Sequence, residues 1–301
     1  MSRHRRAPRV QVHTGDGRVA LLFVLPAMIP MVIFWIYPII RSLMISMTDW
    51  DYISPKYNWV GLENYLSVLK SRDFGRALNN TLLFAVYTVL PSIALGLMLA
   101  LLFQKRFAGK AFYRAMVFSP WVTPMVAVSI VWIWLFQPDT GMLNYLLGLA
   151  GIAPSKWLSS RATALFSVSI VTVWKSLGYA MIFYLSALEK VPKELYEAAE
   201  IDRANAWNRF RHVTFPGISP TTFFLLVMLT ITSLQAYDQI QILTQGGPAG
   251  ATRTLLYLYY QYAFENYNMG EATAVAAVLM GLTIVLSVAQ FWGAKKWVNY
   301  Q

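Results

Sequence analysis

VALLFVLPAMIPMVIFWIYPII, residues 19–40, runs for about six helical turns without one charged side chain. About 20 apolar residues wound as a helix cross the hydrocarbon layer of a bilayer. Residues 81–103, 115–136 and 272–294 repeat the pattern with no charge. Residues 162–188 hold a single charge, Lys175, near the middle, and residues 221–243 hold Asp238 near the end. Strands of a membrane barrel would be shorter and would alternate, and these runs do neither. Backbone in lipid must satisfy its own hydrogen bonds, so such spans are helices. The sequence therefore predicts an all-α integral membrane protein of six transmembrane helices.

Composition agrees. The chain has 301 residues, 57% hydrophobic and 13% charged, against about 45–50% and about 25% in soluble domains. Mean hydropathy is +0.46. There is no cysteine, and His4, His13 and His212 are unpaired in sequence, which leaves no zinc-thiolate site, thiol nucleophile or metal cluster to expect. A net charge of +11 could suggest nucleic acid, but an RNA binder has no need of spans this long. In a membrane chain, Lys and Arg mark the cytoplasmic side. Sixteen of them fall in the tail at residues 1–18, in the connections after spans 2 and 4, and in the tail at 295–301; eight fall on the other side. Both termini are thus expected in the cytoplasm, with the first span retained rather than cleaved as a signal peptide. Trp35, Trp121, Trp157 and Trp292 lie near expected span ends, as interfacial anchors would.

Two connections carry more than linkage. The outer loop 41–78 is polar with interspersed aromatics and reads equally as an ordered cap or a plain connector; WVGLENY at 59–65 looks like a helix entry after a Gly turn. The inner loop, residues 189–220, reads EKVPKELYEAAEIDRANAWNRFRHVTFPGISP. Pro192 suits a first helical turn. Leu195, Ala198, Ala199 and Asp202 form one stripe at helical spacing. Asn205 can cap a second helix through Trp207, Phe210 and Val213, with Pro216 expected to end it. Two short helices with a tight turn have the shape of a docking knob for a soluble partner; an amphipathic hairpin lying on lipid is the other reading.

EAAEIDRANAWNRFRHVTFP resembles the signature of binding-protein-dependent ABC importer permeases: Glu-Ala-Ala, three residues, Gly, nine residues, Ile, one residue, Leu-Pro. Here these are Glu197-Ala198-Ala199, Arg203, Val213, Phe215 and Pro216. Spacing holds throughout. Arg203 replaces the usual Gly, so a different turn or a different partner groove is expected there. LTQGGP at 243–248, followed by Thr252, is similar to the external segment of sugar-type permeases in this superfamily. The likeness covers nearly the whole chain and is greatest to the maltose and glycerol-3-phosphate group, above all the first permease of the glycerol-3-phosphate (glycerophosphodiester) type.

The resemblance implies a subunit of a bacterial inner membrane transporter. A second homologous permease would complete the pathway, two copies of a P-loop ATPase would dock inside, and an extracytoplasmic solute-binding protein would deliver cargo outside. Glu197, Ala198, Ala199, Asp202 and Arg203 would form the coupling helix between spans 4 and 5. ATP and Mg would belong to the partner ATPase, and this chain would need no cofactor. The residues agree: no Gly-x4-Gly-Lys-Ser/Thr phosphate loop occurs. For the solute path, polar groups within spans are the candidates. Lys175 either faces the solute or makes a structural pair with Asp238 or with the partner permease, because a charge in lipid needs a cavity or a partner; Trp174 and Tyr179 beside it either stack on a sugar ring or serve as anchors and packing. Gln235 and Gln239, one helical turn apart, share a face beside Asp238; that face lines the path or solvates its mouth. An ion-coupled secondary transporter or channel is the rival class, but such folds show internal repeats and several intramembrane charges, and neither is evident here.

Overall fold

The computed structural model describes residues 16–105 and 107–299. Arg3, Arg5, Arg6, Arg9, Arg106, Tyr300 and Gln301, and with them most of the basic N-terminal tail, lie outside the described residues.

Among the described residues the regular structure is helical, apart from one isolated bridge between Thr48 and Trp59. Span 1 is α1 (Asp16–Met31), a π turn (Val32–Ile36) and α2 (Tyr37–Ile45) in one path. A connecting cap contains α3 (Glu63–Lys70). Span 2 is α4 (Arg72–Gln104), which begins well before its apolar run. Span 3 is the broken pair α5 (Lys110–Val122) and α6 (Met125–Leu135); then come α7 (Met142–Leu149) and span 4, α8 (Ala164–Leu188). The inner loop forms α9 (Lys193–Ile201) and α10 (Ala206–Arg209). Beyond it are α11 (Phe215–Leu234), α12 (Asp238–Leu243), α13 (Leu255–Tyr260) and span 6, α14 (Met269–Ala294). We call the two ends of the bundle the cap end and the hairpin end.

Three expectations change. Residues 115–136 are not one straight span: α5 and α6 meet at a bend of 100°. Thr123 precedes Pro124, and a residue before proline is pushed out of the helical region by the ring's Cδ; its ψ is 134°. Pro216, in turn, does not end a helix. Residues Ala206–Leu234 form one continuous helix from the inner loop into span 5. A proline ring clashes with the carbonyl four residues back, here that of His212, and a π turn at Phe210–Thr214 widens the helix at that carbonyl. Span 1 uses the same device, with Pro38 two residues after the π turn Val32–Ile36. Lastly, span 5 stops at Leu234, and α12 restarts after Gln235–Tyr237 rather than continuing to residue 243.

Span 4 is the axis of the bundle. Lipid gives helices little hydrophobic reason to associate, so close packing through small residues does the work. Gly96 of span 2 lies against Ala180, and a Cβ on Gly178 would stand 2.3 Å from the Val117 carbonyl oxygen and 2.5 Å from the Phe118 Cα. Met181, Tyr184, Ile218 and Leu225 fill the hairpin half of the core. Phe84, Phe136, Val168 and Ile240 fill the cap half. The cap is ordered: Asn64 donates to the Ser46 and Thr48 carbonyls at 2.9 and 2.8 Å, and α3 follows the Gly61 turn. Trp35 and Trp292 stay exposed as anchors would, at 72% and 70%. Trp121 and Trp157 instead pack inside, on Tyr179 and Phe136.

Candidate functional site

The inner loop folds as a helical hairpin. Pro192 is the N-cap of α9. The turn that follows is a Schellman motif: the Ala204 N–H donates to Ala199 O at 2.9 Å and the Arg203 N–H to Glu200 O at 3.0 Å. The motif puts its turning residue in the left-handed region, and Arg203 has φ +52°. The expectation of an altered turn is therefore corrected. The geometry that suits Gly is kept, and Arg203 adopts it at a strain of about 1–2 kcal/mol. Asn205 caps the second arm by accepting the Asn208 N–H at 2.8 Å. Tyr196 Oη and Thr214 Oγ1, 3.0 Å apart, tie the arms together.

The faces of α9 divide the predicted residues. Leu195, Ala198, Ala199 and Asp202 line a 380 Å³ groove with Asn208 and His212 of the second arm. Glu197 stands on the opposite face, since each residue turns the helix by about 100°. Ile201 is 83% exposed and Trp207 64%. Among the described residues the one ion pair joins Arg253 to Asp73, so Glu197, Glu200, Asp202 and Arg203 present uncompensated charge. An exposed rim of acid and apolar groups on a rigid hairpin is suited to a protein partner.

The predicted pathway residues fall into two separate groups. Lys175 Nζ donates to the carbonyls of Pro120, Trp121 and Thr123 at 2.8, 2.9 and 2.5 Å. An ammonium has three N–H donors, and all three are used. The last carbonyls of a helix have no partner within it; at this break Lys175 supplies one, and Thr123 Oγ1 satisfies Ser119 O at 2.9 Å. Lys175 therefore does not pair with Asp238: its ammonium caps the broken span. Tyr179, one turn on, stacks on Trp121 with centroids 4.3 Å apart. Trp174 meets Trp132 edge-on and lines a 570 Å³ apolar cavity in the elbow between α5 and α6.

Gln235, Asp238 and Gln239 sit at the break in span 5. The break removes the regular helix that would have put Gln235 and Gln239 on one face. Gln235 is exposed in a groove beside Met280 and Thr283 of span 6. Asp238 is exposed in the first turn of α12, where its charge opposes the helix dipole favourably. Sequence reasoning missed Gly178, Asn80 and Thr81. Asn80 Nδ2 donates to the Gly250 and Arg253 carbonyls at 2.9 and 3.0 Å, and Thr81 Oγ1 accepts the Leu255 N–H at 2.9 Å. Together they pin the 243–254 segment to span 2. The signal for the break itself was in plain view: Thr123-Pro124 inside an apolar run.

Residues 92–296 match the model of the binding-protein-dependent transport system inner membrane component. The chain belongs to that family. This membrane component is 36% identical over 280 residues to the sn-glycerol-3-phosphate transport system permease protein UgpA of Agrobacterium fabrum, covering 93% of this chain and 95% of that one. It is 33% identical over 271 residues to the trehalose/maltose transport system permease protein MalF of Thermococcus litoralis, covering 90% of each. A bacterial ABC transporter that imports the acidic polysaccharide alginate has a chain of the same fold, with a TM-score of 0.80 at 22% identity over 95% of this chain and 98% of that one. The multi-pass helical fold and the permease assignment stand together on these matches, and nothing in them supports an ion-coupled transporter or channel.

Proposed function

We propose that this permease forms half of the pathway of an ATP-driven importer for a sugar or a glycerol-3-phosphate-like solute, with its hairpin seated on a separate P-loop ATPase. The family assignment and the relatives' solute classes support the reading. The observation that carries it is mechanical: the second hairpin arm and span 5 are one helix, Ala206–Leu234. Force applied at Trp207 passes into span 5 along that one helix, and force on Glu197 and Ile201 of α9 reaches it through the Schellman turn and the Tyr196–Thr214 contact. In this reading the hairpin end is cytoplasmic, as the Lys and Arg distribution requires. The cap end then faces an extracytoplasmic solute-binding protein. A second homologous permease, a pair of ATPase copies and the inner membrane complete the assembly, and ATP with Mg binds to the partner ATPase.

The test is co-purification from the native membrane followed by ATP-driven uptake in proteoliposomes. Recovery with a second permease and an ATPase supports the reading; recovery alone or as a homo-oligomer overturns it. Glu197→Ala is expected to leave the complex assembled while lowering coupled hydrolysis and uptake at least about tenfold, the low end for losing one hydrogen bond to a charged group. Unchanged uptake removes Glu197 from the coupling role.

A further inference from the structure

After span 6 the chain does not leave the bundle. Trp297 and Val298 N–H groups fold back onto Ala294 O at 3.1 and 2.9 Å, and the tail turns across the root of the hairpin. Trp297 stacks on Phe215, with centroids 6.2 Å apart and planes at 21°, and meets Phe223 edge-on at 6.4 Å. The Asn299 N–H donates to Ser219 Oγ at 2.9 Å, and Ser219 is fully buried. Asn299 also borders a 510 Å³ cavity with Lys190, at the start of the hairpin, and Gly217, at its end.

The stacking extends both ways. Trp207 stacks on Phe210 at 5.8 Å and Phe210 packs on Phe215 at 6.2 Å. Phe223 meets Phe291 of span 6 at 5.0 Å. An aromatic row thus runs from the exposed tip of the hairpin to span 6, and Trp297 bridges its middle. Aromatic pairs add about 0.5–1.5 kcal/mol each beyond burial and fix relative orientation.

We propose that the segment 295–299 is a brace, with Trp297 as a positioning residue that clamps the end of span 6 to the hairpin so that both move together. Span 5 follows the hairpin by backbone continuity; span 6 touches span 5 through Phe291–Phe223 and Gln290–Thr230, and the brace is what ties the end of span 6 to the root of the hairpin. The inference rests on the importer reading for its consequence, transport coupling, while the brace itself is a property of this chain.

The experiment uses the complete transporter with Trp297→Ala and Trp297→Phe. Because the chain has no cysteine, Glu194→Cys on exposed α9 and Gly293→Cys, where a Cβ meets open space, give two unique thiols in it for spin labels. With Trp297 the label distance is expected to be narrow and to stay narrow through the ATP cycle. Trp297→Ala is expected to broaden it and to lower solute imported per ATP hydrolysed at least fivefold; Trp297→Phe is expected to restore both. An unbroadened distance in Trp297→Ala overturns the brace. So does a fall in thermal stability with solute per ATP unchanged, since that is what mere covering of span 5 would give. If the complete transporter with Trp297 intact shows no ATP-driven uptake, the importer reading fails instead, and the label distances still decide the brace.

Discussion

Replacing Lys175 by Leu removes the cap from the break in span 3. Three carbonyls, of Pro120, Trp121 and Thr123, lose a charged donor at 2.5–2.9 Å. Bonds from charged donors contribute about 1.5–3 kcal/mol each, and the part-exposed site argues for the low end, about 4–5 kcal/mol for the set. Leu also relieves the membrane of a charge, worth about 2.5–3.5 kcal/mol on insertion scales. The balance is a loss of about 1–2 kcal/mol, a fall of a few degrees in Tm. Tryptophan fluorescence is a suitable assay, because Trp121, Trp132 and Trp174 surround the break. Lys175→Arg, which keeps donors on a longer stem, is expected to fall between. If Lys175→Leu melts like the parent and assembles normally but changes its solute range, the capping argument is wrong and Lys175 serves the solute directly.

Gly178→Ala places a methyl 2.3 Å from a backbone oxygen of α5, so the helices must separate; a loss of about 1–3 kcal/mol is expected, and an unchanged melting temperature would contradict it. Arg203→Gly relieves the left-handed strain and is expected to stabilise the hairpin by about 1 kcal/mol, read as slower hydrogen exchange at the Ala204 amide; faster exchange there counts against the Schellman assignment. In the cap, Asp49 accepts the Asn58 backbone N–H and its side-chain amide, which hold its carboxyl below the ordinary value of 3.8. A depressed folded value means that its contribution is present above pH 3.8 and is lost as pH falls through the folded value. Proteolytic protection of residues 49–58 is therefore expected to decline below that pH in the parent and to decline less in Asp49→Asn, where Asp51, held low by the Ser54 and Ile53 N–H groups, still titrates.

The spans were legible because hydrocarbon imposes a length and a composition that need no neighbour to be read. Residues 162–188 and 272–294 lie within three residues of the observed Ala164–Leu188 and Met269–Ala294. Asn205 was legible as a cap for an equally local reason: its side chain serves an amide three residues on. The Arg203 substitution was visible, but its consequence was not, since αL strain can be borne by the residue or removed by changing the turn, and only coordinates choose.

Lys175 draws the line most sharply. Its place in an apolar run shows that it must have a partner, because an isolated charge in lipid is too costly. Which partner is a matter of what stands fifty residues away in sequence and less than 3 Å away in space: carbonyls that exist as free acceptors only because Pro124 breaks span 3 and Gly178 lets that break approach. The sequence by itself determined that this chain crosses a membrane about six times, that it carries a helical hairpin at family spacing and that its midspan charge is compensated. The tertiary structure alone decided that the charge caps a helix break rather than pairing with Asp238, and that the tail returns to the hairpin. Burial and span length are properties of a segment and its solvent; hydrogen-bond partners and aromatic stacking are properties of pairs that only folding brings together.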